Sequence, residues 1–311
     1  DTSFRVAKDA AAGWDKPGFD DSAWVAAAII GNAFAAPWYG HAAFDLEPFI
    51  EPADRERWQT WRAARIALPP GLAGESLPRA ALGAVNGSAA LTINGVPRPA
   101  LVYRGTVDPM TDHGRRQIGL FRDAGVHVYA AYMALDKAWS DGPDRFAALD
   151  DTIRAYLSAD PEAYLILLFR LVPPGAWMDQ HPDELVRYAM GDDYNTTDEA
   201  GRVQRPSLAS EVWRRDALAV WRAAIAHLEA QPWGRRVIGY HPCYGIYAEW
   251  HYFGSWTQQM PDTGPAMTRH FRAWLRQRYG TDERLRQAWG DAAVSLATVT
   301  VPAAAPRQAA D

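Results

Sequence analysis

The residues of this chain best suited to chemistry lie between Gly239 and Gly254, where a β-prone run through Val237 and Ile238 leads to one carboxylate, Glu249. Aromatic residues crowd it in sequence: Tyr244, Tyr247, Trp250, Tyr252, Phe253 and Trp256. Flat apolar faces are what the C–H faces of a sugar stack on, and a carboxyl group in a partly apolar site holds its proton to higher pH. Such a group is suited to protonating a glycosidic oxygen near neutrality. On a strand, Tyr247 shares a face with Glu249 and could orient it. Trp250 and His251 follow the acid directly and could line a sugar site. The same residues would also suit a buried strand whose terminal glutamate makes a structural hydrogen bond.

Other residues compete for a role. His241, Cys243, Glu249 and His251 include metal-ligand types, but their spacing matches no familiar zinc pattern and there is no second cysteine, so no metal is expected. Cys243 and His241 share a strand face and could form a nucleophile pair; a small thiol packed in a sheet is the commoner explanation. Tyr103, Arg104 and Arg170 fall at the ends of apolar runs. Arg170 could bind substrate hydroxyls or neutralise a carboxylate, or form a structural ion pair. Trp177, in a Pro-Pro-Gly-Ala-Trp loop, could be a sugar platform or a loop anchor. Asp20 and Asp21 read as turn residues, and Asp183 and Glu184 as the first turn of a helix.

The bulk numbers narrow the classes. The chain has 311 residues, 48% of them hydrophobic, and a formal charge of −5. No basic stripe appears, so nucleic acid is not an expected partner. No apolar run has the length of a membrane span, so no membrane partner is expected. The 14 Trp, 13 Tyr and 10 Phe suit carbohydrate handling, though such rings also fill cores. One cysteine excludes an intrachain disulfide and leaves the compartment open. No secretory h-region is visible at the start.

Two textures follow each other along the chain. Residues 1–88 are broken by turn signals, with short candidate strands such as 58–68 between them, and read as a small, incomplete β-sandwich segment. Residues 89–311 alternate strand and helix. Strands are expected at 99–103, 126–133, 164–169 and 236–240. Helices are expected at 112–124, 144–157, 207–231, around Met267 to Leu275, and at 282–289 with Thr281 as N-cap. The fold class is therefore α/β. Four βα units would be half of a TIM (β/α)8 barrel or most of an open doubly wound sheet. No Gly-x-Gly-x-x-Gly or Walker-type lysine loop occurs, so nucleotide binding has no support.

These residues resemble a known group. The run Leu91-Thr-Ile-Asn-Gly95-Val-Pro97 leads into Leu101-Val-Tyr103-Arg104-Gly105. Arg170-Leu-Val-Pro-Pro174 leads to Trp177 and His181-Pro-Asp-Glu184. Gly239-Tyr240 leads to Glu249-Trp250, and Phe271-x-x-Trp274-Leu275 to Tyr279-Gly280-Thr281 and Ala288-Trp289-Gly290. Over residues 90–290 this string is similar to the barrels of clan A glycoside hydrolases, particularly β-galactosidase-like members. The pattern from Gly13-Trp14 to Phe19-Asp20-Asp21-Ser22-x-Trp24 resembles the galactose-binding-like modules that accompany them. The resemblance implies a partial TIM barrel of about the first four βα units, hydrolysis of β-linked glycosides by a retaining two-carboxylate mechanism, no cofactor, and a carbohydrate substrate. It implies Glu249 as acid/base, with Tyr103, Arg104, Arg170, Trp177, Tyr247, Trp250 and His251 as substrate-binding candidates. The chain departs from the pattern twice. Ala248 stands where the family has Asn, and no strand-borne nucleophile follows Glu249. The nucleophile is therefore expected outside this chain, which reads as ending near mid-barrel, and an unfinished sheet would favour a homo-oligomer. The competing reading is a non-catalytic carbohydrate-binding or scaffold protein derived from such a barrel.

Overall fold

The computed structural model describes residues 5–6, 20, 22–23, 25–26, 52–105, 107–133, 135–188, 205–245, 249–252, 260–303 and 307. The expectations placed on Tyr247, Ala248, Phe253 and Trp256 lie outside the described residues, as does most of 1–51.

The chain is a mixed α/β structure. β1 (Arg5–Val6) and β2 (Val25–Ala26) form a two-residue antiparallel pair. The Asp20 carboxylate accepts the Ser22 N–H at 2.9 Å, the Asx-type turn expected there. α1 (Pro52–Arg65) follows. It occupies much of the 58–68 segment that reads as a strand, and the reason is tertiary. Arg62 donates to Asp151 at 2.5 Å, Arg65 donates to the Met110 carbonyl at 2.9 Å, and Arg154 donates to the Ile66 carbonyl at 3.1 Å.

β3 (Ala80–Val85), β4 (Ser88–Ile93) and β5 (Val96–Pro99) make an antiparallel meander. Asn86-Gly87 and Asn94-Gly95 join them, all four residues at positive φ, as a type I′ hairpin turn requires. The meander straddles the division drawn after residue 88, since Ala84 pairs with Ala89. α2 (Asp112–Asp123) starts where the Thr111 hydroxyl accepts the Gly114 N–H at 2.9 Å, and it stops before Gly125 at φ 78°.

The parallel sheet carries the rest. β6 (Val128–Met133) leads through α3 (Ala147–Ala159) to β7 (Tyr164–Arg170). After α4 (Gly175–Gln180), α5 (Glu211–Ala230) leads to β8 (Val237–Cys243). The order is β6-β7-β8, all parallel. The expected first strand at 99–103 is reduced to one residue. Tyr103 forms a parallel bridge to Tyr129, donating to Val128 O and accepting from Ala130 N at 2.9 Å each, and Pro99 closes β5 instead. The order across the sheet is thus chain order.

Alternation sorts the sheet into two faces. On one, Tyr129, Ala131, Met133, Leu165, Leu167 and Phe169 pack against Ile118 of α2, Leu149, Ile153 and Leu157 of α3, and Trp213, Ala224 and Leu228 of α5. Near-continuous apolar strands of this kind are buried on both sides. On the other face, Leu91 and Ile93 of the meander cover Val128 and Tyr164 at the amino end. Ala130, Leu168 and Cys243 lie beyond them.

α6 (Pro265–Tyr279) and α7 (Asp282–Trp289) form a satellite core through Leu275 and Leu285 with Val294, Leu296 and Val299. Thr281 caps α7, accepting the Arg284 N–H at 3.4 Å. Among the described residues no helix is long and apolar enough to cross a membrane.

Candidate functional site

The site is built at the carboxyl ends of the parallel strands, on the face away from the helices. Arg104 follows the Tyr103 bridge and points across to β6, where Nη2 donates to the Tyr132 hydroxyl at 2.9 Å. Arg170, the last residue of β7, sits opposite Cys243, the last of β8. His241 sits opposite Leu168 on the same face and is exposed. Burial pushes the Cys243 thiol up, and the charges of Arg104 and Arg170 oppose that. Arg104, Tyr132, Arg170, His241 and Cys243 therefore stand together at this end of the sheet. The sequence reading assigned no contact to Tyr132; counting by twos from Val128 would have placed it on this face.

Glu249 lies in a loop rather than on the strand. β8 runs three residues further than 240, ending at Cys243, and Glu249 comes six positions later. The loop is tied at both ends. Tyr244, fully buried, donates to the Pro206 carbonyl and packs on Trp213 with ring centres 4.3 Å apart. Tyr252 accepts the Leu208 N–H at 2.5 Å. Trp250 donates its backbone N–H to Tyr244 O at 2.7 Å and its indole N–H to Pro242 O at 2.9 Å. Its φ of 59° is an uncommon, costly conformation for a bulky residue. Gly245, at φ 81°, meets the His251 backbone so closely that a Cβ would lie 2.3 Å from its carbonyl oxygen. Segment 205–208 is bridged in turn to the loop after β7 (Leu185 to Pro206), and Tyr188 of that loop is bridged to Pro261.

The Glu249 side chain is 58% exposed, and His251 Nε2 stands 3.3 Å from Oε2. An exposed pair of this kind contributes little to stability. The apolar enclosure expected around this carboxylate is not found among the described residues. Tyr244 and Tyr252 turn inward to anchor the loop, and Trp250 is 45% exposed. The carboxylates that follow among the described residues are engaged elsewhere, Asp291 by the Ala293 N–H at 2.8 Å. Buried Asp262 accepts the Arg187 and Gly264 N–H groups at 3.0 and 2.7 Å. Asp282 accepts the Leu296 N–H, and Glu283 opens α7.

Two of the expected contacts sit on the opposite face. Tyr103 stacks on Phe121 of α2 with ring centres 3.9 Å apart and meets Tyr129 edge-on. Trp177 donates to Asp216 of α5 at 3.0 Å and stacks on His181. Those contacts give both a packing role, and the structure groups neither with Arg104, Arg170 and His241. Asp183 and Glu184 form the expected helical turn, here a 3-10 turn. Glu184 accepts from the Ser210 hydroxyl, the cap of α5, at 2.6 Å, and pairs with Arg269 of α6. Among the described residues no group of three or more His, Cys, Asp or Glu is placed to hold a metal ion.

No family model and no curated protein matches the chain. Solved structures do. The β-galactosidase of psychrophilic Marinomonas ef1 aligns at 19% identity and TM-score 0.43, over 65% of this chain and 29% of that one. That of Bacillus circulans sp. alkalophilus aligns at 20% and 0.42, over 66% and 28%. A GH42 β-galactosidase from G. stearothermophilus aligns at 15% and 0.43, over 64% and 28%. The chain is similar to β-galactosidases of known structure over about two thirds of its own length and less than a third of theirs.

Proposed function

We propose that this chain supplies the acid/base half of a site that hydrolyses β-linked glycosides, β-galactosides foremost, by a retaining double displacement. In this reading residues 89–311 are the first half of a (β/α)8 barrel, and 1–88 belong to a galactose-binding-like sandwich segment. The observation that carries it is the strand order. Parallel strands laid down in chain order, with α2, α3 and α5 on one face, are the arrangement that the start of a barrel wall would have, and this supports the reading. A doubly wound sheet reverses its order at a switch point, and none is present in the sheet described. Barrel chemistry collects at the carboxyl ends of the strands, where Arg104, Arg170, His241 and the Glu249 loop stand.

Glu249 would protonate the leaving oxygen and then deprotonate the incoming water, with His251 beside it. Arg104, Arg170, Tyr247, Trp250 and His251 are the substrate contacts of this proposal. Tyr103 and Trp177 support them from the helix side. Retention needs a second carboxylate ~5–5.5 Å from the first. We assign that nucleophile to none of the described residues after Glu249, because Asp262, Asp282, Glu283 and Asp291 are committed to backbone hydrogen bonds or a helix start. The β8 edge, paired only with β7 among the described residues, supports self-association of this chain.

The test compares unsubstituted protein with Glu249→Gln, both in a chain extended at its C-terminus to carry the second carboxylate, on two β-galactosides, one with a nitrophenol leaving group and one with an alcohol. General acid catalysis is worth ~10²–10⁴-fold, and most where the leaving group is poor. The variant is expected to lose the alkyl substrate far more than the aryl one. Equal losses on both, or none, would remove Glu249 from the mechanism. A second reading, a carbohydrate-binding protein without catalysis, draws on the exposure of Glu249. Saturable sugar binding by the extended protein that turns over neither substrate would establish it.

A further inference from the structure

A shallow, open pocket lies at the amino end of the parallel sheet, the end opposite Glu249. Apolar side chains, Leu101, Val126 and Val128 among them, make part of its wall; the polar side chains of its lining are Arg98 and His127. The pocket is open to solvent, so a ligand there would be a small ion held at its mouth.

Arg98 lies on β5 with its guanidinium carbon 5.3 Å from the centre of the Tyr164 ring. Its Nε is buried without a hydrogen-bond partner, and no carboxylate pairs with it among the described residues. Arg236 lies at the same distance from Tyr164, but it is balanced by Glu75 at 2.7 Å. The charge on Arg98 is thus left over. His127 donates from Nδ1 to Asp160 Oδ2 at 2.9 Å, and Asp160 is completely buried. That bond fixes the ring and leaves Nε2 without a hydrogen bond among the described residues. The charged and titratable groups around the imidazole are Asp160, the Tyr129 hydroxyl on the same carboxylate oxygen, Arg122 at the end of α2, and Arg98.

We propose that this pocket binds a small oxyanion, a carboxylate or phosphate, between the Arg98 guanidinium and the Nε2–H of a His127 imidazolium. Asp160 balances the ring charge from behind, as a carboxylate orients a functional histidine elsewhere. Both bonds would be charge-assisted, the stronger kind of hydrogen bond. The site is independent of the glycosidase reading, because it lies at the other end of the strands.

The test is imidazole and arginine NMR on the full chain at pH 6, titrating phosphate, acetate and, at matched ionic strength, chloride. A saturable shift of the His127 ring signal is expected with phosphate, acetate or both, and which of them saturates identifies the oxyanion. The ring signal is assigned by its loss in His127→Gln. The Arg98 Nε–H signal must move with the same constant, a readout that needs no variant. Arg98→Met should weaken binding at least tenfold. An equal response to chloride, no saturation by either oxyanion, or unchanged affinity in Arg98→Met would overturn the assignment.

Discussion

Replacing Asp160 tests how firmly one buried carboxylate holds the turn between α3 and β7. It is completely buried, and three groups donate to it: the Tyr129 hydroxyl at 2.8 Å, His127 Nδ1 at 2.9 Å and the Glu162 N–H at 3.0 Å. Burial and the carboxylate together push the Tyr129 hydroxyl well above its ordinary pKa, so it remains a donor. Asp160→Ala removes both acceptor oxygens that the three donors share. Tyr129 keeps its bond to the Val126 carbonyl at 3.0 Å, but His127 Nδ1 and Glu162 N lose theirs. A hydrogen bond to a charged group is worth ~1.5–3 kcal/mol, and breaking a buried pair costs ~3–5 kcal/mol. Because the lost donors are partly reached by water, we expect about 3–5 kcal/mol for Asp160→Ala. Asp160→Asn keeps one acceptor oxygen and should cost about 1–2 kcal/mol. Urea denaturation of native protein and both variants measures this, provided the slopes agree. Adding Tyr129→Phe should cost less in the Ala variant than in native protein, which isolates the shared bond. If Asp160→Ala costs under ~1 kcal/mol, the range of a surface substitution, the reasoning is wrong.

Further outcomes follow from the same contacts. Gly245→Ala forces a Cβ at φ 81° to within 2.3 Å of the His251 carbonyl, and should cost about 1–3 kcal/mol in urea unfolding; a neutral result would show that the loop has room. Cys243 is buried and its thiol is pushed up, so a thiol reagent at pH 8 should leave folded protein unmodified and react at once in urea. Complete modification of folded protein within minutes would contradict that burial. Burial, then the charge of Glu229, pushes Tyr240 up to about 12. The folded chain keeps a proton that the unfolded chain releases from about pH 10. That contribution is full below pH 10 and is lost as pH rises through 12, so the urea midpoint should fall between pH 9 and 11, less steeply in Tyr240→Phe.

Most of the parallel layer was legible because its signals are local. The 164–169 run, the Thr281 cap and the Gly125 and Gly280 stops each act within a few residues of where they are read. α1 was not, because its hold comes from Asp151, the Met110 carbonyl and Arg154, far away in sequence. The site was half legible. Arg104 and Arg170 fall at strand ends from the apolar pattern alone. Facing is decided by a one-residue register, and that turns Tyr103 to the helices while Arg104 faces the site. The position of Glu249 depended on where β8 stops, which its pairing with β7 sets through Cys243.

The bridges joining 185–188 to Pro206 and Pro261, with the two tyrosines that clasp 206–208, make the connections after β7 and β8 one mechanical unit. An extra residue between Leu185 and Tyr188 of the first connection would therefore displace Glu249 in the second, although no atom near it had changed. Laboratory variation aimed at Glu249 would have to remodel both stretches at once, and drift in either would be tolerated only where the other followed.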